Sequence, residues 1–410
     1  MALFFYNIII SIVGFVLKPI ALFSPKTKLF VQGRKTVFED LKNFKPSKKN
    51  LWMHCASLGE FEQGRPLLEH PEIQENYTII LTFFSPSGYE VQKDYTYADL
   101  VLYLPLDTKS NAKEFVQLLK PKIAIFVKYE IWPNYLHELG KQHIKTLLIS
   151  GIFRENQFMF KPLGTFLRKA MQNIQHFFVQ DNASKELLEK QGFKAITVAG
   201  DTRFDRVYEI LKQNNQLDFV SEFVGNKMVF VAGSTWSADE KLILNYANFQ
   251  QKNNLKIIIA PHNINKQAIT DLKRNLKQKT ILFSEKEDEN LANYEILIID
   301  TVGLLNKIYS YADLAYVGGG FGKEGIHNIL EPATFGIPII IGPVFEVFKE
   351  AIDLAKQKAL FVVHNQAEFD ATMQALVNDK ALRQEKGILC KQFIEANIGA
   401  TEKVVSYLIK

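Results

Sequence analysis

Two cysteines in 410 residues, Cys55 and Cys390, are too few for a disulfide framework or a four-cysteine zinc site. They suit a chain kept in a reducing compartment. No HExxH is formed by His137 and His143, and no Asp-x-Asp occurs, so no metal and no cofactor is expected. Neither a GxSxG elbow nor a Walker A loop is present. Lys and Arg number 49 against 44 Asp and Glu, a net charge of +5 with no basic block, so nucleic acid is not an expected partner. Anionic lipid or a phosphorylated substrate suits that small excess equally well. The composition, 47% hydrophobic and 23% charged, excludes a disordered polymer, a collagen-like repeat and a multi-span membrane protein. What remains is a globular chain long enough for two domains.

The first informative stretch is Leu3 to Phe23, almost wholly apolar and interrupted by Asn7, Ser11, Lys18 and Pro19. A bilayer span takes about 20 apolar residues, so this run is barely long enough. It lacks the basic lead and small-x-small site of a secretory signal, and Lys26, Lys28, Arg34 and Lys35 follow it. That charge distribution places the flank at a cytoplasmic surface. Two membrane-attached readings stay open, a single span and a helix dipping into the inner leaflet with Lys18 snorkelling. A buried first helix is the third.

Beyond Lys49 the chain alternates short β-branched runs with amphipathic stretches. The expected strands are Leu51–Cys55, Thr78–Thr82, Leu100–Leu104, Ile123–Val127, Thr146–Ser150 and Phe177–Gln180, and then Met228–Ala232, Lys256–Ala260, Thr280–Phe283, Glu295–Ile299, Leu314–Val317, Pro338–Ile341 and Leu360–Val363. Continuous apolar strands imply burial on both faces, hence parallel sheets covered by helices. The fold class is α/β, with two doubly wound Rossmann-like domains facing a cleft and an N-terminal anchor helix. The expected divisions are 1–24 for the anchor, 25–205 for the first domain and 206–410 for the second, with a linker at Ala199–Asn214. Ligands of such sheets bind at the carboxyl ends of the strands.

Two clusters fall at those ends. In His54-Cys55-Ala56-Ser57-Leu58-Gly59-Glu60-Phe61 a strand stops, a turn follows, and Glu60 opens the next helix. A helix N-terminus favours the ionised carboxylate there, which can accept a proton from a hydroxyl; equally, the glutamate only complements the helix dipole. In Gly318-Gly319-Gly320-Phe321-Gly322-Lys323-Glu324-Gly325 a strand runs into glycines, with a helix expected to begin at His327 or Asn328 and Glu331 one turn into it. Backbone N–H groups at such a helix start suit a phosphate, and Glu331 suits ribose hydroxyls. The embedded GxGxxG is a decoy, because a dinucleotide fingerprint belongs in the first strand-helix turn of its domain. Ser234-Thr235 and Pro261-His262 follow the first two strands of the second half, as phosphate-binding or capping residues. Glu130-Ile131-Trp132-Pro133 opens a helix with proline at its start.

Together these segments resemble the 3-deoxy-D-manno-octulosonic acid (Kdo) transferases of lipopolysaccharide assembly. The likeness runs through the anchor, His54–Glu60, Ser85-Pro86-Ser87-Gly88, Leu104–Asp107, Glu130–Pro133, Gly200–Phe204, Ala232–Ser234, Val317–Phe321, His327–Pro332, Gly342-Pro343 and Phe348-Lys349. It implies a GT-B glycosyltransferase that moves Kdo from CMP-Kdo to a lipid A precursor at the cytoplasmic face of the inner membrane. It also implies Glu60 as the base, and Gly319, Gly320, Asn328 and Glu331 in the CMP site. Ser234, Thr235, Pro261, His262, Phe321 and His327 complete the expected donor site; Ser57, Gly59, Ser85, Glu130 and Lys349 are expected at the acceptor or cleft. The chain departs from the family where Pro261-His262-Asn263 replaces Pro-Arg-His, and where Lys128 stands in place of an acid. The rival readings are a UDP-sugar transferase or 2-epimerase of the same fold, and a membrane-anchored nucleotide-binding module without catalysis.

Overall fold

The computed structural model describes residues 2–249, 255–323 and 325–409. It divides into two compact units, Met1–Arg206 with Ile398–Lys410, and Val207–Asn397.

The first unit holds β1 (Lys49–Cys55), β2 (Tyr77–Phe83), β3 (Leu100–Tyr103), β4 (Ile123–Val127), β5 (Lys145–Gly151), β6 (His176–Val179) and β7 (Ile196–Val198). All pairings are parallel, in the order β3-β2-β1-β4-β5-β6-β7. Six of these strands match the expected runs; β7 is additional. Strand periodicity sorts β1 between two cores: Trp52 packs with Phe115, Phe126 and Tyr135, while Leu51, Met53 and Cys55 face Ile79, Leu81 and Phe178. The strand order reverses direction between β1 and β4, which is where an open α/β sheet leaves a crevice.

The second unit holds β8 (Met228–Thr235), β9 (Leu255–Pro261), β10 (Thr280–Leu282), β11 (Ile296–Ile298), β12 (Leu314–Val317), β13 (Ile339–Ile341) and β14 (Leu360–Val362). Its order is β10-β11-β9-β8-β12-β13-β14, again parallel, with the reversal between β8 and β12.

Two expectations change. The stretch Ala199–Asn214 is not an open linker, because Thr202–Ile210 is a helix. The chain from 206 to 410 is not one domain: the last helix, Ala400–Ile409, packs Ala400, Val404, Val405 and Leu408 into the core that holds Leu51 and Met53. Asp205 caps that helix, its carboxylate accepting from the Thr401 N–H at 2.7 Å and the Thr401 hydroxyl at 2.7 Å.

The N-terminal helix is Ala2–Ile20, and no residue in it is fully buried. One side is tied to the first unit: the Tyr6 hydroxyl donates to Asp107 at 2.8 Å, and the Asn134 amide donates to Asn7 at 2.8 Å. Gly14 completes the contact, since a Cβ there would meet Leu106 at 2.9 Å. Around the rest of the helix Phe4, Phe5, Ile8, Ile9, Ile12, Phe15 and Val16 stand exposed. The buried-first-helix reading is thereby excluded.

Candidate active site

At the reversal point of the first sheet, the chain leaves β1 through Ser57 and enters the helix Leu58–Leu68, with Glu60 in its first turn. The Glu60 side chain is only 12% exposed. The Ser57 hydroxyl donates to one carboxylate oxygen, and the Lys128 ammonium stands 3.6 Å from the other. Gly59 sits exposed in the same turn. Lys128 lies just past β4 with left-handed backbone, φ 63°, unusual for a residue with a side chain. Its N–H still bonds the Ile149 carbonyl at 2.9 Å, so the kink is pinned to β5.

Glu130, two residues on, accepts from the Trp132 indole at 3.0 Å and faces His54 Nε2 at 3.7 Å. His54 is fully buried. Its Nδ1 lies 2.9 Å from the Thr82 hydroxyl, which also accepts the Trp52 indole N–H at 2.8 Å. That hydroxyl also donates to the Met53 carbonyl at 3.4 Å. Pro133 opens the helix Pro133–Lys141 as expected. Ser85 caps the helix Pro86–Gln92 and is fastened to the same edge by its N–H bond to the Ala56 carbonyl at 2.8 Å. Burial, and next the nearby Glu60 and Glu130 carboxylates, push the Cys55 thiol well up, which leaves it inert as a nucleophile. The same causes raise Tyr129.

At the reversal point of the second sheet the organising group is Asp239, a residue the sequence did not single out. It is fully buried. One oxygen accepts from the Trp236 N–H at 2.8 Å and the Gly319 N–H at 2.9 Å; the other accepts from the Tyr316 hydroxyl at 2.6 Å. One carboxylate thus joins the ends of β8 and β12. Beside it Trp236 and His327 lie almost coplanar, 7° apart, with the indole N–H donating to His327 Nε2 at 2.8 Å. His262 stacks on both, at ring distances of 4.7 Å from Trp236 and 4.2 Å from His327. Partial burial lowers the His262 pKa, which favours its neutral form. Trp236, the largest ring in the group, was missed because a lone tryptophan after a strand looks like core.

The glycine segment and the helix after it differ from expectation. Gly319 has φ 97°, and a Cβ on it would lie 2.2 Å from the Gly325 carbonyl; one on Gly320 would lie 2.7 Å from Gly342 Cα. These glycines are required by the protein's own backbone. The helix begins at Leu330, past His327 and Asn328, and runs only to Thr334. Five residues are too few for the expected anion site at its start. Glu331 is therefore in the first turn and accepts from the Asn328 amide at 3.1 Å, while Asn328 Oδ1 takes the Leu330 N–H at 3.1 Å.

Thr235 and Pro261 are paired across β8 and β9, and the His262 N–H bonds the Thr235 carbonyl at 2.9 Å. Ser234 is in the left-handed region at φ 52°, next to the register shift where β8 leaves β9. Thr235 is buried, and its hydroxyl donates to Glu240 at 3.3 Å. Pro261 ends β9 and Phe321 is partly buried on the second core. Lys349 belongs to the second unit and pairs with Asp353 at 2.9 Å on an exposed helix face.

The family model described as 3-Deoxy-D-manno-octulosonic-acid transferase (kdotransferase) matches residues 32–206. The 3-deoxy-D-manno-octulosonic acid transferase of Aquifex aeolicus is 30% identical over 360 residues, covering 84% of this chain and 92% of that one. The chain belongs to the Kdo transferase family. It is a glycosyltransferase. A bifunctional glycosyltransferase/methyltransferase of Fusobacterium nucleatum is 27% identical over 406 residues, covering 94% of this chain and 61% of its own length. Among solved structures, UDP-GlcNAc 2-epimerase from Neisseria meningitidis bound to UDP-GlcNAc superposes with a TM-score of 0.62 at 13% identity, over 88% of this chain and 99% of that one. That likeness concerns the fold, which in this Kdo transferase is of the GT-B type: two parallel seven-stranded sheets, each in its own unit.

Proposed function

We propose that this Kdo transferase takes Kdo from CMP-Kdo and adds it, with inversion at the anomeric carbon, to a hydroxyl of a lipid A precursor such as lipid IVA. The observation that carries the reading is Glu60, a nearly buried carboxylate held by Ser57 and Lys128 at the reversal point of the first sheet. In the step, the acceptor oxygen forms a bond to the anomeric carbon as the bond to the CMP phosphate breaks. The hydroxyl proton passes to Glu60, and the bonding pair leaves with CMP, a phosphate monoester that needs no proton at neutral pH. A single displacement inverts the centre. Glu130, oriented by Trp132 and His54, lines the acceptor side with Ser57, Gly59 and Ser85.

On the second unit, Asp239 fixes the glycine loop, and the Trp236–His262–His327 stack offers a flat surface for a ring of the nucleotide. Ser234, Pro261, Gly319, Gly320, Phe321, Asn328 and Glu331 complete the donor site, with Glu331 toward the ribose. The phosphate contacts come from backbone N–H groups and side chains of these loops, since the short helix at Leu330 has little dipole to give. Thr235 supports the site through Glu240, and Lys349 is a donor-side residue by its place in the chain. Incubating the purified enzyme with CMP-Kdo and tetraacylated lipid A precursor should yield product heavier by Kdo, with release of CMP. Absence of transfer, or transfer from a UDP-sugar instead, would end this reading.

The N-terminal helix is the attachment to the inner membrane, lying in the plane of the cytoplasmic leaflet. Its polar residues Tyr6 and Asn7 are committed to the first unit, its apolar residues point outward, and Lys26, Lys28 and Lys35 follow for anionic headgroups. Deleting residues 1–23 should abolish co-flotation with vesicles containing phosphatidylglycerol while the remaining chain folds and keeps measurable transfer to detergent-dispersed acceptor. Undiminished flotation would place the attachment elsewhere.

A further inference from the structure

Among the described residues, the cation paired with Glu60 is Lys128. Several features make the contact more than a surface pair. Lys128 keeps left-handed backbone, φ 63°, a conformation that disfavours side chains and that glycine adopts freely. The backbone bond to Ile149 holds the residue there, and the turn brings its side chain from beyond β4 to the first turn of the helix after β1. The ammonium is about a quarter exposed at 28%, and the carboxylate at 12%, so the pair is incompletely screened. With Ser57 on the opposite oxygen, the carboxylate plane has both ends fixed.

We infer that Lys128 is a positioning residue for Glu60: together with Ser57 it fixes the orientation of the carboxylate. The inference rests on Glu60 being the base. Other charged or titratable groups around Glu60 do not substitute for it. Cys55 at the end of β1 and Tyr129 beyond β4 are both pushed toward their neutral forms by burial. Glu62 on the same helix and Glu130 beyond β4 are acidic and cannot pair with it; Arg206 stands 3.6 Å from Glu62, and Arg154 acts on Tyr129. His54 is directed to Glu130.

The test uses three variants of the full-length enzyme in detergent: Lys128→Asn, which tolerates left-handed backbone without charge, Lys128→Gly, which relieves the backbone, and Lys128→Arg, which keeps the cation. In the Asn and Gly variants kcat should fall roughly 10-fold while KM for CMP-Kdo and for the acceptor stays near native, because a carboxylate free to turn is less often aimed at the acceptor hydroxyl. Lys128→Arg should retain most of the native kcat. Thermal unfolding should leave Lys128→Gly at least as stable as the native chain. If Lys128 only serves the fold, the Gly variant would keep the native kcat, and the inference falls. A rise in KM with kcat unchanged in the Asn and Gly variants would also overturn it, pointing to contact with an anionic substrate. Glu60→Gln separates the underlying reading: near-native transfer in that variant removes the base itself, whereas an inactive Glu60→Gln beside a Lys128→Asn of native kcat removes only the role of the lysine.

Discussion

Glu60→Gln should lower kcat by roughly 10²-fold or more, about 2.7 kcal/mol of barrier, while leaving the chain folded. Glutamine has nearly the same shape and can still meet the Ser57 hydroxyl, so the turn after β1 keeps its geometry. It cannot take the acceptor's proton. The neighbourhood supplies no ready replacement: Glu130 is already engaged by Trp132 and directed at His54. CMP affinity should stay near the native value, because the residues proposed for the donor belong to the other unit. The measurement is single-turnover transfer with saturating CMP-Kdo, alongside CMP titration. A folded variant with near-normal turnover would remove Glu60 from the mechanism.

Asp239→Ala should be among the most destabilising single changes in the second unit, at about 3–5 kcal/mol. Three donors lose their acceptor together, namely the Trp236 and Gly319 N–H groups and the Tyr316 hydroxyl, two of them on fully buried residues. A buried donor left unpaired costs the desolvation it would have recovered on bonding. The loss reaches function as well as stability. Gly319 is the entry to the glycine loop, and Trp236 anchors His327 through its indole, so both sides of the donor site loosen. CMP binding should weaken at least 10-fold in whatever fraction remains folded. Asp239→Asn, which keeps one carbonyl acceptor, should fall between the two. Urea unfolding followed by tryptophan fluorescence, with CMP titration, checks both effects, and an alanine variant with native stability and affinity would show that the carboxylate organises neither.

Most of the architecture was legible because parallel strands buried on both faces announce themselves as apolar runs. All thirteen expected strands occur. β7 escaped because its residues Ile196, Thr197 and Val198 form a half-buried edge, too short and too mixed to stand out. The C-terminal helix was assigned to the wrong half for a different reason. Val404, Val405 and Leu408 give an amphipathic pattern that says a sheet lies beneath, with nothing in it to say which sheet. The motif residues after β1, β4, β8 and β12 were found because loops at a reversal point carry unusual polar groups and glycines. Asp239 and Lys128 were not found as site residues, since their importance lies in partners distant in sequence: Tyr316 and Gly319 for one, Glu60 for the other. The start of the helix at Leu330 was misplaced because Asn328 caps from two residues before it, a local bond that a glycine-rich sequence does not reveal.

The return of Ala400–Ile409 to the first unit bears on how the polypeptide is made. Residues 207–397 are continuous and can complete their own core as soon as they leave the ribosome. The sheet synthesised before them cannot. One of its apolar faces, with Leu51, Met53, Ile79 and Phe178, stays short of its Ala400, Val404, Val405 and Leu408 covering until the final helix has been translated. Throughout that interval the nascent chain carries an open hydrophobic face as well as an apolar N-terminal helix, which makes early capture by a bilayer or a chaperone valuable.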